Sequence, residues 1–151
     1  MPDSIATSEK ILILRRLRSY LFAQRRKFHS YLELLEREEE DILSNDTEKL
    51  QAHAEIEAVI VSEIFTFQKV IDPLEDLYRK AYPEKEETVP RLKTSLESLK
   101  RKVLKKNENN RNLLKNRMAM IRSELKSLRR NIKPGSPYAA RATANLVDIS
   151  T

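Results

Sequence analysis

The chain has 151 residues, 34% of them charged, with one glycine (Gly135), six prolines, and neither cysteine nor tryptophan. A single glycine excludes the glycine-rich turns of dinucleotide-binding and Walker phosphate loops, and the lack of cysteine excludes disulfides, thiolate metal sites and cysteine nucleophiles. The net charge of +6 hides segregated blocks: +5 over residues 1–30 (7 basic, 2 acidic), −11 over 31–87 (6 and 17), +12 over 89–133 (15 and 3), and none over 134–151 (one of each).

An apolar fraction of 40% with so few turn-formers predicts long amphipathic helices rather than sheets, and the length suffices for one core if those helices pack together. The early apolar run at residues 11–14 is followed by Arg15 and Arg16. It falls far short of a signal segment or a membrane span, so the expected setting is the cytoplasm, without membrane insertion.

In chain order, the first helix is predicted from Thr7 or Ser8 to about Leu43. Leu14, Leu21, Phe28, Leu35 and Ile42 recur every seven residues, with Leu17 and Tyr31 between them, which makes a heptad seam interrupted by Gln24 and Glu38. Ser44-Asn45-Asp46-Thr47 breaks it, and Asn45 with Glu48 three residues on reads as a capping box for a second helix. Leu50, Ile60, Ile64, Phe67, Ile71, Leu74 and Tyr78 continue the spacing there. Asp72-Pro73 permits either a restart, giving four helices, or a kinked continuation; the seam keeps phase across Pro73 and favours the kink.

Tyr82-Pro83 closes this helix and residues 84–88 read as an acidic loop. Pro90 suits the first turn of a third helix, whose seam runs Leu92, Leu96, Leu99, Val103, then, after a polar gap at 105–111, Leu114, Met118, Ile121, Leu125, Leu128 and Ile132. Pro134-Gly135-Ser136-Pro137 stops it. The expected architecture is therefore all-α, an antiparallel bundle of three long helices with coiled-coil-like packing over residues 1–133, followed by a flexible tail over 134–151. The acidic second and basic third helices should attract along their flanks. With roughly 36 residues in each of the first two helices and roughly 44 in the third, an apolar overhang of about 12 Å is expected at 1.5 Å per residue.

The residues offer little chemistry. His53 stands one turn before Glu57, a spacing that suits a shared metal, but two ligands are too few; His29 and His53 read as polar interruptions of a seam. Glu38-Glu39-Glu40-Asp41 spread around the helix and read as a solvated face. No serine has a base partner, so the chain reads as non-catalytic, without metal, cofactor or small-molecule substrate. The basic third helix lacks the interleaved aromatics of single-strand binders, with none between Tyr82 and Tyr138, so nucleic-acid binding is the weakest reading. The remaining stripe, Leu114, Met118, Ile121, Leu125 and Leu128, is either ordinary bundle core or a surface for a partner's amphipathic helix, with Met118 and Met120 making it adaptable. A self-associating structural coiled coil is a further alternative.

Two stretches carry a family likeness. Tyr31-Leu32-Glu33-Leu34-Leu35-Glu36-Arg37-Glu38, followed by Asn45-Asp46-Thr47-Glu48-Lys49-Leu50, resembles the leucine- and glutamate-rich helix and x-D-x-E-x-L turn of the FlgN family of flagellar export chaperones. Asn107-Glu108-Asn109-Asn110-Arg111-Asn112-Leu113-Leu114 resembles that family's N-x-x-N-R-x-L-L stretch. The likeness covers about residues 10–132. It implies a cytoplasmic, non-catalytic chaperone of the flagellar type III secretion system, which binds hook–filament junction (hook-associated) proteins and delivers them to the export apparatus. By the same likeness the client would lie along residues 113–132, on Leu113, Leu114, Met118, Ile121, Leu125 and Leu128, with Lys115, Arg117, Arg122, Lys126 and Arg129 favouring an acidic client flank. Tyr138, the only tyrosine after the last helix, would be the candidate for docking to the export gate.

Overall fold

A computed structural model describes residues 6–131, which form α1 (Thr7–Leu43), α2 (Thr47–Ala81) and α3 (Thr88–Asn131); no strand occurs among the described residues. The three residues between α1 and α2 explain both helix ends. Asn45 takes the left-handed conformation (φ 57°), which asparagine tolerates better than other non-glycine residues. This lets the Asn45 N–H reach the Ile42 carbonyl (3.2 Å) and the Asp46 N–H reach the Asp41 carbonyl (3.0 Å). That pair of bonds is a Schellman stop. Asp46 then caps α2, its Oδ1 accepting from the Lys49 N–H at 3.1 Å. The cap is therefore Asp46 and not Asn45, which is spent on ending α1.

α2 runs unbroken through Pro73, so the helices number three. Pro73 lies on the exposed side while Ile71 beside it is 1% exposed. The bond its ring forfeits is to the carbonyl of Lys69, and Lys69 is itself an exposed residue, so the forfeited bond falls on the solvent side of the helix. The start of α3 differs from the predicted loop. The Glu86 carboxylate accepts from the N–H of Thr88 (2.9 Å) and of Val89 (2.8 Å) and from the Thr88 hydroxyl. These N–H groups have no partner inside the helix, so an acidic residue within the supposed loop is what starts α3. From the other side, the Tyr78 hydroxyl donates to Glu86 at 2.9 Å.

The chain divides into two compact units, Met1–Asn110 and Arg111–Thr151. The core lies in the first, in two clusters. Near one end, Leu17 and Leu21 of α1 pack with Ile71 of α2 and with Val89, Leu92 and Leu96 of α3. Further along, Tyr31, Leu34 and Leu35 meet Ile60 and Val103. Early α1 thus meets late α2 and early α3, so α1 and α2 are antiparallel and α1 and α3 run the same way. Leu17 and Leu35 are 0% exposed, and full burial of such a side chain stabilises by about 1.5–3 kcal/mol. The heptad positions of α1 supply this core as the spacing predicts, with Leu14 and Phe28 packed at its edge. Gln24, an interruption in the apolar row, is itself buried and donates to Gln68 at 2.9 Å.

Ion pairs cross every helix boundary rather than only the second to the third. Lys27 pairs with Glu63, Lys93 with Glu75 (3.1 Å), and Lys106 with Glu39. Lys100 also stands 5.6 Å from the centre of the Phe28 ring, within cation–π reach. Ile132, the tail and Tyr138 lie outside the described residues.

Candidate functional site: the exposed stripe of the third helix

Residues 111–131 form the helical part of the second unit. Leu114, Ile121, Leu125 and Leu128 are spaced by seven, four and three, so they share one helix face, with Met118 among them. This row has the same period as Leu92, Leu96, Leu99 and Val103, yet the outcome is opposite. Leu96 and Leu99 are 3% and 6% exposed, whereas Leu114, Met118, Ile121 and Leu128 are 40%, 46%, 46% and 60% exposed. Leu113 and Leu125 are half-buried and Met120 is exposed. Isolated exposed apolar side chains need no explanation, but a continuous row of them is a candidate interaction surface.

The basic residues are ordered around this row. Lys115, Arg122, Lys126 and Arg129 repeat the seven-four-three spacing one position later and so form one cationic edge. Arg117 does not belong to that edge. It is half-buried on the opposite side of the stripe, seven residues before Glu124. The face is thus apolar in the middle and cationic along one border, which suits a partner helix with an acidic border.

A second cluster of ionisable groups lies in the first unit, where the sequence suggests a solvated face. Glu38 is half-buried and accepts from Asn110 Nδ2 at 3.3 Å. Burial pushes its carboxyl up from the ordinary value, and Glu57 adds to this, against the Asn110 bond and His53. Asp41 pairs with His53 Nε2, and Glu57 accepts from the Tyr31 hydroxyl. His53 and Glu57, one turn apart, are therefore committed to different partners instead of one metal. Among the described residues no group of three or more His, Cys, Asp or Glu is arranged to hold a metal ion. Of the four consecutive acids only Glu40 is plainly solvated; Glu38, Glu39 and Asp41 tie α1 to its neighbours.

Asn110 is the residue that sequence reasoning missed most clearly. It falls in the polar gap of α3, yet it is 1% exposed and its Nδ2 donates to the Leu35 carbonyl at 2.8 Å. Its Oδ1 is buried without a hydrogen-bond partner. The available signal was the seven-residue step from Val103, which puts residue 110 on the seam.

No helix among the described residues is long and apolar enough to cross a membrane. No family model matches the chain, and no solved structure matches it. An uncharacterized protein of Treponema pallidum (strain Nichols) is 29% identical over 122 residues, which cover 81% of this chain and 79% of that protein. The chain is thus similar, along most of its length, to a protein whose description states no activity.

Proposed function

We propose that this protein is an export chaperone for hook–filament junction proteins, delivering them to the flagellar type III export apparatus. The observation that supports this reading is the row Leu114, Met118, Ile121 and Leu128, four apolar side chains each at least 40% exposed on one helix face. A client's terminal helix, unable to fold alone, lays its apolar side on this row. Burial at about 25 cal/mol per Å² supplies affinity, less the cost of ordering the client. Lys115, Arg122, Lys126 and Arg129 attract an acidic client border and speed encounter. The likeness of Asn107–Asn110 and Leu113–Leu114 to the FlgN stretch also supports the reading, which makes the protein a non-catalytic cytoplasmic carrier with Tyr138 as its contact to the export gate.

Mixing with the junction proteins should give a complex stable on size exclusion. Ile121→Asp with Leu125→Asp should abolish it while far-UV circular dichroism stays unchanged. A complex that survives this double change would remove the site, and the absence of any complex would remove the function. The same exposed row also favours a second reading, self-association through α3. Sedimentation velocity separates the two, because that reading requires the chain to dimerise by itself in a concentration-dependent manner.

A further inference from the structure

The first unit carries another face that is exposed among the described residues, on the outer side of α1. Residues 10–32 contain seven basic side chains and no acidic one. Ile11, Arg15, Arg18, Phe22, Arg25 and His29 recur at steps of three or four, so they form one ridge about 27 Å long at 1.5 Å per residue. Ile11 and Phe22 are 50% and 44% exposed. Two shallow grooves of about 420 and 410 Å³ follow the ridge, one between Ile11 and Phe22 and the next from Phe22 to His29. Among the described residues none of Arg15, Arg18, Arg25 and Arg26 has a carboxylate within ion-pair distance, although Lys27 on the neighbouring face is paired with Glu63.

We propose that this ridge docks an acidic amphipathic helix of a partner protein, with Phe22 and Ile11 as apolar anchors and Arg15, Arg18, Arg25 and Arg26 pairing with its carboxylates. Charge complementarity sets the sign of the partner, and the ridge geometry sets its shape. A row of side chains at steps of three and four is complemented by the groove of another helix. Phosphate-bearing surfaces fit less well. A nucleic-acid backbone would engage the arginines but leave Ile11 and Phe22 in water. A lipid surface would need a broad apolar face, whereas the broad apolar face of α1 is already spent on the core through Leu17, Leu21 and Leu35. Arginine's planar fork is well matched to paired carboxylate oxygens. This docking surface is independent of the α3 stripe.

The test uses the full chain and a fluorescein-labelled 21-residue peptide with leucines along one helical stripe and glutamates on both borders. The controls are its scrambled-order version and a version with lysine in place of glutamate. Anisotropy should show saturable, salt-weakened binding of the ordered acidic peptide, at least tenfold weaker for either control. Arg18→Glu with Arg25→Glu, and separately Phe22→Ser, should each weaken it at least fivefold with helicity retained, measured in the Ile121→Asp, Leu125→Asp background so that the α3 row, which suits the same peptide, does not contribute. The proposal is overturned if the scrambled peptide binds equally well, or if the α1 variants bind like that background. It is also overturned if phosphatidylserine vesicles or a duplex RNA are bound while the ordered peptide is not.

Discussion

The side-chain amide of Asn110 on α3 donates to the main-chain carbonyl of Leu35 on α1 across 2.8 Å. It places a buried polar group at a seam where α1 and α3 otherwise meet through apolar side chains, with the Lys106–Glu39 pair at the flank. A buried asparagine at a seam position fixes axial register in coiled coils at a cost in stability. Here it does so for two helices running the same way, because only one axial offset brings Asn110 opposite Leu35 and Glu38.

Removing the amide should therefore separate stability from uniqueness. Asn110→Ala is expected to lower unfolding free energy by about 1–3 kcal/mol through the lost bonds and the gap. Asn110→Leu should stay within about 1 kcal/mol of the unaltered chain but broaden or multiply the amide resonances of both helices. In both variants Glu38 loses a bond that lowers its pKa, so carbon-detected titration should place it higher still. Sharp single resonances in Asn110→Leu would contradict the register role.

Glu86 gives the fold a specific acid sensitivity. Burial raises its carboxyl, but the bonds from Thr88, Val89 and Tyr78 outweigh this and bring it from 4.5 to about 2. The unfolded chain then binds the proton more readily, so the contribution is complete above about pH 5 and is lost as pH falls towards 2. Glu86→Gln should cost about 0.5–2 kcal/mol at neutral pH, as loss of a helix cap does, and should flatten the acid limb of a stability–pH curve. Tyr78 has the opposite sign. Burial first, then the bond to Glu86, push its hydroxyl from 10.0 up to about 12, so its contribution persists below pH 10 and fades as pH rises through 12. Spectrophotometric titration of Glu86→Gln should show Tyr78 moving back towards its ordinary value.

At the first turn, Asn45 should tolerate glycine, whereas loss of either side chain to alanine should destabilise. Glycine bears no Cβ penalty at a left-handed position, so Asn45→Gly should be neutral or stabilising by a few tenths of a kcal/mol, whereas Asn45→Ala should cost about 1 kcal/mol. Asp46→Ala removes the bond to the Lys49 N–H and should cost about 0.5–2 kcal/mol. Urea midpoints at constant slope would measure all three.

Two leucines on equivalent seams should differ sharply. Leu35 is 0% exposed and Leu114 is 40% exposed, so Leu35→Ala should cost about 2–5 kcal/mol and Leu114→Ala about 0.5 kcal/mol or less. Equal losses in thermal unfolding would mean that the two rows are buried alike.

The seam residues show what could be read from the chain and what could not. The heptads of α1 reveal Leu17, Leu21 and Leu35 because periodicity reports which residues share a face. Periodicity does not report whether anything covers that face, so Leu96 and Ile121 look alike in sequence although one is buried and the other exposed. Glu86 was hidden for a different reason. Glu84, Glu86 and Glu87 stand within four positions, and only the path of the backbone decides which carboxylate meets the free N–H groups of α3. Asn45 reads as the cap of α2 in the sequence although Asp46, one residue on, makes that bond, since both types favour helix ends. Asn110 was visible as a motif residue, while its bond to Leu35 depends on a contact between helices 75 positions apart in the chain.

The economy of the first turn has a kinetic consequence. Asp46 both closes the end of α1 and caps α2, so the α1–α2 hairpin assembles with a very short loop and little closure entropy. α3 reaches its place against α1 only through contacts far apart in sequence, such as Asn110 to Leu35. The contacts between α1 and α3 are therefore expected to form after those of the α1–α2 turn. Stopped-flow measurements should find that Asp46→Ala mainly slows folding and that Asn110→Ala mainly speeds unfolding.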